Sequence, residues 1–220
     1  MIYFDYVLCI DASKSMFSKL KTLKERIKHF LRLSQMVFDE NIPKSKGVKL
    51  RVKLIAFRDY ATAKEPMKES KFFVYPDEES GFISFLDGIE AKEGGEFSNN
   101  ALEAIALALK SDWTTGGYRR RFVAVFANSQ PIPLGDRADC PGYPEGMPKS
   151  FKELADSWDA FSARSDSIMA LFVPESESWG QLIKEFWRSF PYYHSISSDL
   201  SDFVIEDSDW YTMLDWILGD

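Results

Sequence analysis

Hydrophobic and polar positions change period along the chain, and each change predicts an element. Tyr6-Val7-Leu8-Cys9-Ile10 is apolar on both faces and reads as a buried strand. Met16, Leu20, Leu23, Ile27, Phe30 and Val37 then recur at helical intervals, predicting a long helix that begins near Met16 with one buried face. Lys19, Lys21, Lys24, Arg26 and Lys28 fall between them and read as its solvated side. Asn41-Ile42-Pro43 stops the helix and Gly47 marks a turn. From Val48 to Ala56 apolar and charged residues alternate, as in a strand with one wet face. Phe72 to Tyr75 is a short edge strand, and Gly81 to Ile89 a short amphipathic helix.

The second half repeats the alternation. A polar, glycine-bearing loop, Glu93 to Asn100, precedes a helix carrying Leu102, Ile105 and Leu109. Arg119-Arg120-Arg121 reads as the solvated entrance to a central strand, Phe122 to Phe126. The proline-rich stretch from Pro131 to Lys149 reads as one long surface loop. Phe151 to Phe161 is helical, Ile168 to Val173 is a buried strand, and Trp179, Leu182, Ile183, Phe186 and Trp187 form an apolar helix face. Tyr192 to Ile196 and the stretch around Trp210 to Ile217 complete the chain as strand and helix. Regular alternation of strand and helix predicts an α/β fold, doubly wound, with a mostly parallel central sheet and helices on both faces. One composition throughout makes residues 1–220 a single domain.

Composition narrows the function. The 220 residues are 45% hydrophobic and 28% charged, with eighteen Phe, nine Tyr and six Trp, enough for a substantial core. A net charge of −7 disfavours general nucleic-acid binding. Cys9 and Cys140 are the only cysteines and form neither a disulfide framework nor a zinc signature. With no signal-peptide pattern and no membrane-length apolar run, the expected location is cytoplasmic.

Candidate chemistry gathers at Asp11-Ala12-Ser13-Lys14-Ser15-Met16, where an acid and two hydroxyls crowd a strand-to-helix turn. Such turns hold ligands in open α/β sheets, and oxygens of this kind suit a hard cation. The alternative use is helix capping. Glu96 and Asn128 stand in two further loops that approach the same edge if the first and fourth strands are neighbours. Asp11, Ser13, Ser15, Glu96 and Asn128 would then surround one point with oxygen, a set suited to Mg²⁺. His29 reads as ordinary surface and His194 as structural, and neither falls on a loop at this edge, which leaves a Ser-His-Asp hydrolase unsupported.

These motifs resemble the von Willebrand factor A (vWA) domain, a Rossmann-like three-layer sandwich whose metal-ion-dependent adhesion site begins D-x-S-x-S. Asp11, Ser13 and Ser15 supply that motif here. The resemblance implies Ser13 and Ser15 as direct ligands, Asp11 near the ion or reaching it through water, and Glu96 in the second loop. In the third loop Ala127-Asn128-Ser129-Gln130-Pro131 stands where the family has T-D-G-x-P, so Asn128 replaces a charged aspartate with a neutral amide. Phe57-Arg58-Asp59-Tyr60, Asn100-Ala101-Leu102-Glu103-Ala104, Lys110-Ser111-Asp112-Trp113 and the segment Tyr143 to Ser150 are similar to a bacterial intracellular branch called TerY-like. The implied function is a non-enzymatic adaptor that holds Mg²⁺, or else Mn²⁺ or Ca²⁺. It would recruit a protein partner through that partner's acidic side chain, in stress or tellurite-resistance-type signalling.

Two other readings stay open. One is a Mg²⁺-dependent phosphoryl-transfer enzyme with Asp11 as nucleophile, against which Ser13 stands where a second aspartate is expected. The other is a scaffold whose metal site has decayed at Asn128.

Overall fold

The computed structural model describes residues 1–92, 98–174, 176–186, 192–196 and 207–219. The expected segment Glu93 to Phe97, and Trp187, lie outside the described residues. In chain order the elements are β1 (Ile2–Asp11), α1 (Leu20–Asn41), β2 (Val48–Phe57), β3 (Met67–Glu69), β4 (Phe73–Tyr75) and α2 (Glu79–Asp87). They continue with β5 (Ser98–Asn99), α3 (Ala101–Leu109), β6 (Tyr118–Phe126), β7 (Gln130–Pro131) and α4 (Phe151–Ser162). The last four are β8 (Asp166–Pro174), α5 (Glu177–Phe186), β9 (Tyr192–Ile196) and α6 (Asp207–Leu218).

The main sheet runs β3-β2-β1-β6-β8-β9, with β4 also paired to β2. β2, β1, β6, β8 and β9 are mutually parallel, while β3 and β4 are antiparallel to β2. The doubly wound architecture expected from strand-helix alternation is therefore the one observed. β1 and β6 are neighbours at its centre, with Ile10 beside Phe126. Gly47 enters β2 with φ of +64°, a left-handed turn that costs glycine little, and its carbonyl accepts the Ile2 N–H at 2.9 Å.

Strand period two divides β1 between the two faces. Phe4, Tyr6, Leu8 and Ile10 point to a core shared with α1, α2 and α6, while Val7 and Cys9 point to one shared with α3, α4 and α5. The first core is held by stacked rings: Phe30 of α1 lies 4.5 Å from Trp210 of α6 and 5.7 Å from Tyr6. In the second, Trp158 and Trp179 are fully buried, and Ser150 caps α4 by accepting the Glu153 N–H at 3.2 Å.

Three local expectations are corrected. The long helix starts at Leu20 rather than near Met16, because Lys14–Met16 forms a short 3-10 turn. Met16 is still buried. Lys19 is not on a solvated face: it is 3% exposed. The arginine triplet lies within β6, and Arg121 is buried rather than part of a wet strand entrance. His29 is exposed, as expected of a surface residue.

Phe30→Ala removes the ring that joins α1 to α6. It is expected to lower stability by about 3–5 kcal/mol in urea melts, the usual cost of emptying a well-packed aromatic site.

Candidate functional site

The carboxyl ends of β1 and β6 place Asp11 beside the loop that holds Asn128 and Ser129, and β5 brings Asn99 to the same point. Asp11 is fully buried, and its carboxylate accepts from all three chain segments. Oδ1 takes the Ser13 N–H at 2.8 Å, within its own turn. Oδ2 takes Asn99 Nδ2 at 2.7 Å, the Asn128 N–H at 3.3 Å and Ser129 Oγ at 3.3 Å. Asn99 Nδ2 also donates to Ser129 Oγ at 2.6 Å. Burial pushes the Asp11 carboxyl above its ordinary 3.8, and the bonds from Ser13, Asn128 and Ser129 oppose that shift.

A second tie lies just outside. Arg58 is buried and donates to the Ala12 carbonyl at 2.9 Å, the Glu65 carbonyl at 2.8 Å and the Glu90 carbonyl at 2.7 Å. Parallel pairing of Ser98 with Gln130 and Asn99 with Pro131 locks the second and third loops together. The sheet topology has thus brought Asp11, Ser13, Ser15 and Asn128 to one edge. Glu96 lies outside the described residues.

Part of this set matches the geometry of Mg²⁺. Ser13 Oγ and Ser15 Oγ are 2.9 Å apart. Adjacent ligands on an octahedral Mg²⁺ with bonds of ~2.1 Å stand about 3.0 Å apart, so the hydroxyl pair fits. Asp11 has its lone pairs engaged by four donors, and fits the outer role rather than direct ligation. Asn128 does not fit so well. Its Oδ1 accepts Lys19 Nζ at 2.7 Å, and its Nδ2 donates to the Ser15 carbonyl at 3.3 Å. An ammonium therefore stands where the third loop would offer its oxygen to an ion. Burial lowers the Lys19 pKa. Among the described residues no group of three or more His, Cys, Asp or Glu side chains gathers that could hold a metal.

Sequence reasoning missed Lys19, Asn99, Ser129 and Arg58. Lys19 and Asn99 carried a usable signal only in hindsight of topology, since each lies next to a loop that the strand order closes. Below the edge, buried Glu103 of α3 accepts from Tyr143 Oη at 2.9 Å, while Arg137 pairs with buried Asp59 at 2.7 Å. Both contacts pin the long proline-rich loop over the second core.

Comparison with solved structures identifies the architecture. The chain superposes on the pilus adhesin SpaC from Lactobacillus rhamnosus GG with a TM-score of 0.59 at 12% identity, covering 99% of this chain and 31% of the adhesin. The SpRpn10 VWA domain gives a TM-score of 0.55 at 14% identity, covering 89% of this chain and 92% of that domain. The vWF domain of the type V pili tip protein Mfa5 from Porphyromonas gingivalis gives 0.55 at 10% identity, covering 98% and 95%. The chain has the vWA fold, and it spans about a third of the length of the SpaC adhesin. No protein-family model and no curated protein sequence matches it.

One titration follows from the buried acid. Burial pushes the Glu103 carboxyl above its ordinary 4.5, so the folded chain holds that proton more tightly than the unfolded chain. Its contribution to stability therefore falls as pH rises from 4.5 through the shifted value. Glu103→Gln is expected to be more stable than the parent at neutral pH. The gap should close towards pH 4.5 with a slope of up to about 1.4 kcal/mol per pH unit, read from urea melts across that range.

Proposed function

We propose that the chain is a non-enzymatic protein-interaction module that meets its partner with the loop edge around Asp11, Ser13, Ser15 and Asn128. The observation that carries this reading is Phe17, 79% exposed and only two residues beyond Ser15. A large aromatic side chain held in water beside a rigid polar cluster is the composition of an interface anchor. The vWA fold shared with the VWA domain of Rpn10 and with pilus adhesins supports the same class. Ser13 and Ser15 would hold Mg²⁺ (or Mn²⁺ or Ca²⁺), with Asp11 orienting the turn and Glu96 adding charge, and an acidic side chain of the partner would complete the ion. The TerY-like motif set suggests a bacterial stress or tellurite-resistance-type signalling context. Complete burial of Asp11 under four donors weighs against its use as a phosphoryl nucleophile.

A second reading is favoured by one contact, that of Lys19 Nζ with Asn128 Oδ1 at 2.7 Å. In it the ammonium takes the role of the ion, neutralises the edge from within, and the partner binds without metal.

Calorimetric titration with Mg²⁺ and Mn²⁺ separates the two. The first reading expects saturable binding at millimolar metal, weakened at least about tenfold by Ser13→Ala with Ser15→Ala. It also expects Lys19→Met to tighten binding roughly tenfold by removing a like charge, and Asn128→Asp to tighten it further in the Lys19→Met background. Absence of metal binding, with partner capture that resists EDTA yet fails for Phe17→Ala, would support the second. Partner capture unaffected by Phe17→Ala would remove the edge from both.

A further inference from the structure

Arg121 is a buried charge that the loop edge does not use. It lies on β6, seven residues before Asn128 and so roughly 23 Å from it at ~3.3 Å per strand residue. The residue is 8% exposed. Its guanidinium lies over the Phe161 ring at 4.7 Å and the Trp113 ring at 5.8 Å. Stacking covers the faces of the group and leaves its edge to make hydrogen bonds. That edge is poorly supplied. The described contact is a 3.5 Å bond to the Thr114 carbonyl, and Nε is buried with no hydrogen-bond partner.

A carboxylate stands beside it but is already committed. Asp5 is opposite Arg121 in the β1–β6 register. Its oxygens take Arg51 Nε and Nη2 at 2.8 and 2.6 Å, and the Thr114 N–H and Oγ1 at 2.6 and 3.2 Å. Among the described residues Arg121 makes no ion pair, although a buried cation without an anion is costly. Burial, with Arg119 and Arg164 nearby, lowers its pKa.

Arg121 also lines a cavity of about 440 Å³ between α3, α4 and β6, within the usual size range of small-molecule sites. Lys110 and Arg164 join it there against a single carboxylate, Asp112, so the cavity is cationic in a chain of net charge −7. Lys110 Nζ is partly engaged by the Gly146 carbonyl at 2.6 Å, while Trp113 and Phe161 give apolar walls.

We infer that this cavity binds a small organic anion, an apolar ring bearing a carboxylate or a phosphate, whose oxygens take the free edge of Arg121. The ring lies against the walls that Trp113 and Phe161 provide, and Lys110 and Arg164 attract the charge. The site is separate from the loop edge and does not depend on the function proposed for it.

Titration of the full chain with benzoate, phenyl phosphate, inorganic phosphate and benzyl alcohol, followed by the indole NMR signal of Trp113, tests this. Saturable binding of benzoate or phenyl phosphate is expected, and the tighter of the two identifies the head group. Benzyl alcohol should bind at least about tenfold more weakly, and Arg121→Gln should lose at least about tenfold in anion affinity. Arg121→Met preserves the packing volume and should lose as much, while Arg164→Gln, at the exposed rim, should lose roughly two- to threefold. Ser13→Ala with Ser15→Ala should leave the titration unchanged. Failure of both organic anions to bind, equal binding of benzyl alcohol, unchanged affinity in folded Arg121→Met, or inorganic phosphate binding as tightly as phenyl phosphate would each overturn the inference.

Discussion

The loop edge depends on one carboxylate. Asp11 is buried, and carboxyl oxygens in that environment must be satisfied by donors or cost stability. Donors come from its own turn, from Asn99 and from the Asn128–Ser129 segment, so three loops with little sequence in common are tied to one atom group. The cost of burial is what makes the arrangement specific, since any loop that moved away would leave a buried oxygen short of a donor. Arg58 repeats the logic with opposite sign, one cation joining three backbone carbonyls.

Within that frame the site has an uneven charge. The Ser13–Ser15 pair presents two hydroxyl oxygens at a spacing that suits a small dication. The third loop presents instead an amide already bonded to an ammonium. Replacing a carboxylate by an amide removes a charge without changing shape much, and a neighbouring lysine then reduces the attraction for a second cation. The two halves of the edge thus differ in what they offer, hydroxyls on one side and an amide bonded to Lys19 on the other.

Much of the fold was legible because its signals are periodic. The apolar runs of β1, β6 and β8 and the helical stripes of α1 and α3 gave the architecture, and D-x-S-x-S marked the edge. Boundaries and exceptions were less legible. Lys19 follows the spacing of Lys21, Lys24 and Lys28 on the polar side of α1, and nothing local distinguishes a lysine that solvates from one that folds back onto another loop. Arg121 sits in a run of three arginines, where alternation alone would have turned it to the face of Val123 and Val125. Reading the run as a polar entrance hid that, because β6 begins earlier than its apolar stretch. Asn99 and Ser129 became site residues only through contacts across the chain, which no short motif encodes.

The long loop before α4 makes one side of the edge unlike the other. It is pinned by Arg137 on Asp59 and by Tyr143 on Glu103, and its Leu134 and Met147 are part of the second core. That loop is anchored along its length. On the other side Phe17 stands clear above a shallow surface shared with Lys21, Lys24 and Ala91. The two sides of the edge therefore differ in kind: the side over the second core carries a loop anchored at four side chains, and the side over the first core carries an exposed aromatic ring.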